Sequence, residues 1–131
     1  MFGLKKRMNL SDIDILIQSK YMEGESDPAS DYYVFAYYVH IHNRTKVDIQ
    51  LVSRHWIITD SDNNVEEIQA KGVMGEEPFI KAGEIFYYNS FCVLHTSVGS
   101  MRGVYGMRSR DGVCFDADIP IFTLSMPHSL Q

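Results

Sequence analysis

The stretch Tyr32-Tyr33-Val34-Phe35-Ala36-Tyr37-Tyr38-Val39-His40-Ile41-His42 decides the fold. It is aromatic and β-branched along its length, which suits a pleated strand better than a helix. With a period of two, Tyr33, Phe35, Tyr37, Val39 and Ile41 share one face. Tyr32, Val34, Ala36, Tyr38, His40 and His42 share the other.

The same alternation appears on both sides of it. Asp12 to Ile17 places Ile13, Ile15 and Ile17 on one face, with Asp12, Asp14 and Leu16 opposite. Gly24 to Ser30 is a loop by composition, and Asn43 to Lys46 a turn. Val47 to Thr59 reads as the third strand. Its alternation puts Val52, Arg54, Trp56 and Ile58 on one face and Leu51, Ser53, His55 and Ile57 on the other. Asp60 to Asn64 is turn chemistry, because Asp and Asn side chains bond their own backbone. Val65 to Gln69, Ile85 to Leu94 and Met101 to Ser109 follow as strands. Asp111-Gly112 then predicts a type I′ hairpin turn. The last strand starts at Val113, and Pro120 limits it or places it at an edge.

About seven short strands with turns between them predict an all-β immunoglobulin- or fibronectin type III-like β-sandwich, with a small barrel as the alternative. The 131 residues and 15.0 kDa suit one domain, expected over 12–127. An N-terminal segment 1–11 and a tail 128–131 flank it.

Twelve basic against seventeen acidic residues leave a net charge of −5. That argues against a nucleic-acid backbone partner, which requires a basic stripe. No apolar run suits a membrane span or a signal peptide, so a cytoplasmic protein with reduced thiols is expected. Cys92 and Cys114 sit in apolar runs and read as small buried hydrophobes.

Ser53-Arg54-His55-Trp56-Ile57-Ile58-Thr59-Asp60, with Tyr33-Val34-Phe35-Ala36-Tyr37 upstream, resembles the ApaG family. That family is also called CorD in bacteria and recurs as an ApaG domain in some eukaryotic F-box proteins. The likeness continues through Val65-Glu66-Glu67, Gly72-Val73-Met74-Gly75-Glu76, Gly83-Glu84, Cys92-Val93-Leu94, Gly99-Ser100-Met101 and Ile119-Pro120. The resemblance implies a fibronectin type III-like sandwich without enzymatic activity. It also implies an association with cobalt and magnesium resistance, and an interaction role in F-box proteins.

Trp56 reads as a large core residue. Arg54 is awkward on the Trp56 face and should snorkel outward or pair with a carboxylate. With His55 and Tyr38 it makes up a candidate interaction surface. Tyr32, Tyr87 and Tyr88 are further contact candidates, since tyrosine is enriched at interfaces. His40 and His42 share a strand face and, with His55, form a candidate metal set of imidazoles. Lys71, Gly72 and Gly75 form a candidate phosphate or nucleotide loop. Glu76, Glu77 and Pro78 oppose that reading, because they leave no helix start and add negative charge. Ser53 with His55 lacks the elbow and carboxylate of a hydrolase. Asp60, Asp62 and Asn64 lack the glycine and final glutamate of a calcium loop.

The favoured function is a non-catalytic module that binds a protein partner and needs no cofactor. A homodimer is plausible because sandwich edges invite strand pairing. The alternative is a small-ligand binder, for a divalent metal or a pyrophosphate.

Overall fold

In the computed structural model, which describes residues 12–128, the alternating segments form two antiparallel sheets. β1 (Ile13–Tyr21), β2 (Tyr33–Asn43) and β6 (Ile85–Leu94) make a three-stranded sheet in the order β1-β2-β6. β3 (Ile49–Asp60), β4 (Val65–Lys71), β7 (Val98–Ser109) and β8 (Cys114–Ser125) make the second, in the order β4-β3-β7-β8. The short β5 (Phe79–Ile80) pairs with one end of β3 and is the strand that alternation did not reveal. The sheets stack as a sandwich and share no strand, so the barrel alternative falls. Segment 1–11 and tail residues 129–131 lie outside the described residues.

Alternation sets the inner faces. Phe35, Val39 and Ile41 of β2 are fully buried, and Tyr37 nearly so. They meet Leu51, Trp56 and Ile58 of β3 and Met101, Tyr105 and Met107 of β7 in one core. Each such side chain contributes about 1.5–3 kcal/mol through burial. Trp56 lies at its centre, with Tyr37, Tyr105 and Phe122 packed edge-on at ring separations of 5.5, 6.1 and 6.0 Å. That geometry suits the charge distribution of aromatic rings. The core reading of Trp56 holds.

Leu51 breaks the expected alternation. It is fully buried, on the same face as Arg54 and Trp56. The cause is a β-bulge: Leu51 pairs with Met107 but Ser53 pairs with Gly106, leaving Val52 as the extra residue. One inserted residue inverts a strand's facing, so the simple period placed Leu51 on the wrong side.

Two further details depart from expectation. The β7–β8 hairpin exists, but only Gly112 of its tip has positive φ, at 91°. Gly112 N–H donates to the Ser109 carbonyl and Ser109 N–H to that of Val113. This is a three-residue loop ending in a glycine bulge, not a type I′ turn. Cys114 is exposed rather than buried, because its partner Arg108 faces outward. Pro120 stands on edge strand β8, where Met101 pairs with Phe122 and Gly103 with Ile119. The strand absorbs the missing amide in that bulge and continues to Ser125.

Candidate functional site

The outer face of the three-stranded sheet groups several exposed aromatic and aliphatic side chains. The register aligns Leu16, His40 and Tyr87 in one row across β1, β2 and β6. Gln18, Tyr38 and Asn89 form the next row, and Lys20, Ala36 and Phe91 the one after. Leu16 is 68% exposed, Tyr87 60% and Phe91 58%. Tyr38 and Ile85 are exposed on the same face. His40 packs edge-on against Tyr87 with ring centroids 4.6 Å apart. Large apolar side chains grouped in this way mark a binding surface more often than they do when scattered.

Arg54 lies elsewhere. It points inward beside Trp56, as alternation required, but neither snorkels free nor meets a carboxylate. Its Nη1 donates to the Gly72 carbonyl at 2.5 Å and the Lys71 carbonyl at 3.4 Å. The surrounding hydroxyls are those of Tyr37, Tyr88 and Tyr105. Tyr88 and Tyr105 hydrogen-bond to each other, and Ser90 is the cross-strand partner of Tyr37. Burial raises the pKa of all three tyrosines, and the Arg54 charge partly offsets it. Tyr88 is therefore an internal residue of this network and not a surface contact.

Lys71, Gly72 and Gly75 do come together, in a tight turn. Val73 and Glu76 exchange both backbone hydrogen bonds across Met74 and Gly75, whose φ values of 53° and 78° are both positive. Gly72 N–H donates to the Val52 carbonyl. The Gly72, Val73 and Glu76 amides are thus used inside the fold, whereas a phosphate cradle presents such amides to the ligand. The Gly72 carbonyl faces a cation instead, the Arg54 guanidinium.

The histidines are not brought together. His40 and His42 belong to the three-stranded sheet and His55 to the other, where its Nε2 lies 2.8 Å from Glu67 Oε1. Among the described residues, no group of three His, Cys, Asp or Glu side chains is placed to hold a metal ion. Tyr38, Arg54 and His55 likewise occupy three different places: the outer face of one sheet, a half-buried position beside the Gly72 turn, and the outer face of the other. Asp60 accepts from the Asp62 and Asn64 amides of its own turn, so its carboxylate serves the turn.

A hollow of about 700 Å³ at one end of the sandwich is lined by Asp48, Gln50, Phe79, Lys81, Arg108 and Arg110. Arg110 pairs with Asp48 at 2.8 Å, and Arg108 donates to the Gln50 amide oxygen. Those two guanidiniums are occupied by neighbours. The exposed Leu16, Ile85 and Phe91 were not singled out from the sequence. What could have flagged Phe91 and Ile85 is their strand, which carries no charge over its ten residues.

Comparison with known proteins is consistent with this geometry. A family model described as the ApaG domain matches residues 23–109. A protein named ApaG from Thiobacillus denitrificans (strain ATCC 25259 / T1) is 49% identical over 119 residues, covering 91% of this chain and 94% of that one. One from Pseudomonas aeruginosa (strain LESB58) is 45% identical with the same coverage. A solved Bordetella pertussis structure that carries the name ApaA superposes with a TM-score of 0.87 at 41% identity. It covers 90% of this chain and 96% of that one.

Proposed function

The chain belongs to the ApaG domain family, and from that premise we propose that it is a non-catalytic protein-binding module whose contact surface is the outer face of the three-stranded sheet. The observation that carries this reading is the exposed row Leu16–His40–Tyr87, flanked by Tyr38 and Phe91. Exposed aromatics supply large contact area at low entropic cost, and interfaces are enriched in them. The partner we propose presents an apolar patch with a basic surround, complementary to a chain of net charge −5.

The arrangement of ionisable groups supports a non-catalytic role. Arg54 bonds to backbone carbonyls and Tyr88 to Tyr105, and His55 faces out on the far sheet. On this reading, the link to cobalt and magnesium resistance belongs to the complex with the partner and not to an ion bound at the histidines. No helix among the described residues is long and apolar enough to cross a membrane. The unpaired Cys92 and Cys114 support a reducing, cytosolic setting.

Affinity capture from the host with the tagged chain tests the reading. Tyr87→Glu should lose the captured partner while His55→Ala, on the other sheet, keeps it. Retention by Tyr87→Glu with the fold intact would refute it.

A further inference from the structure

Sheet edges present unpaired backbone groups, and natural proteins protect them with charge, proline, bulges or a covering element. Three edges here are protected. β1 packs against β8, and Ser19 Oγ donates to the Thr123 carbonyl between them. β4 carries Glu66, Glu67 and Lys71. β8 carries Asp116, Asp118 and the bulge at Pro120. β6 has none of these devices. Its ten residues, Ile85-Phe86-Tyr87-Tyr88-Asn89-Ser90-Phe91-Cys92-Val93-Leu94, contain no charge, proline or glycine. Among the described residues β2 is its one strand partner.

The pattern along β6 is also nearly its own reverse. Its outward residues are Ile85, Tyr87, Asn89, Phe91 and Val93: β-branched, aromatic, amide, aromatic, β-branched. We infer that β6 pairs antiparallel with β6 of a second copy about a two-fold axis at Asn89, joining the two three-stranded sheets into one six-stranded sheet. In that register Tyr87 meets Phe91 of the other copy twice, and Ile85 meets Val93 twice. Such cross-strand pairs stabilise antiparallel sheets. On the inner face Tyr88 meets Ser90 and Phe86 meets Cys92, a large residue against a small one each time. No like charges oppose each other, since the strand has none. A two-fold interface requires this kind of self-complementarity, and the open edge supplies it. The dimer would double the aromatic face, but it stands independently of what that face binds.

Analytical ultracentrifugation of the full chain, from low micromolar to near-millimolar concentration, tests the pairing. The expected result is reversible association to twice the 15.0 kDa chain mass. Asn89→Lys, which sets two ammonium groups on the axis, should remain monomeric with an unchanged far-ultraviolet spectrum. Nitroxides in a Cys114→Ser background fix the register. Labels at Asn89→Cys should broaden each other strongly. Labels at Leu16→Cys should not, being five strand spacings across and four residues along the joined sheet, roughly 27 Å apart. A wild-type chain that stays monomeric throughout, or a dimer that survives Asn89→Lys, would overturn the inference.

Discussion

Arg54 and Gly72 are bound through a side chain and a backbone: Nη1 of Arg54 donates to the Gly72 carbonyl at 2.5 Å. The bond joins the core strand β3 to the turn that follows edge strand β4. It also holds a half-buried guanidinium near the Tyr88–Tyr105 pair. Hydrogen bonds to charged groups contribute about 1.5–3 kcal/mol, so Arg54→Ala should destabilise the chain by roughly that amount. Arg54→Lys should recover little, because an ammonium lacks the planar fork. Urea unfolding midpoints for both variants measure this.

The same turn gives a contrast between two glycines. Gly72 has φ +54°, and a Cβ there would lie 1.8 Å from the Glu76 carbonyl oxygen. Gly75 has φ +78° but open space around it. Gly75→Ala should cost about 1 kcal/mol for its backbone conformation alone. Gly72→Ala should cost clearly more, because the backbone itself must move. Thermal melts of the pair rank them. Equal losses would mean that the turn adapts freely.

Trp56 is 1% exposed and touches three aromatic rings. Trp56→Ala should cost about 3–5 kcal/mol. Trp56→Phe should cost less, since it keeps an aromatic ring at the site. Calorimetric melting of the two variants checks the order. A near-neutral Trp56→Ala would move the tryptophan out of the core.

The thiols should separate by accessibility. Burial, with Glu66 nearby, pushes Cys92 from an ordinary 9.0 up to about 12, whereas Cys114 is exposed. A maleimide at neutral pH should modify Cys114 quickly and Cys92 only on unfolding, as read by intact mass. The sign of the pH effect follows from the raised values. A thiol or phenol held protonated in the fold stabilises it fully below its unfolded pKa, and that contribution is lost as pH rises toward the folded one. Melting temperature should thus start to fall above pH 9.0 through Cys92. It should fall further above 10.0, where Tyr88 and Tyr105, also raised by burial, ionise in the unfolded chain.

Much of the architecture was legible because alternation is a local signal. Tyr33 to Ile41 could be divided correctly between two faces without knowledge of their neighbours. Leu51 could not, because the bulge at Val52 is defined only by the register with β7. The site was less legible for the same reason. Sequence order makes neighbours of His40, His42 and His55 only if β2 and β3 pair, but the chain changes sheet between them. The row Leu16–His40–Tyr87 spans three strands far apart in sequence, and only pairing aligns it. Tyr87 and Tyr88 are equivalent by composition, yet one faces solvent and the other bonds Tyr105.

The binding face is tested most directly by amide chemical-shift mapping of the isotope-labelled chain, titrated with the captured partner. Perturbations should concentrate on β1, β2 and β6, around Leu16, Tyr38 and Tyr87, with β3 and β7 largely unmoved. Perturbations centred instead on His55 and Glu67 of the five-stranded sheet, or on the Gly72–Gly75 turn, would contradict it.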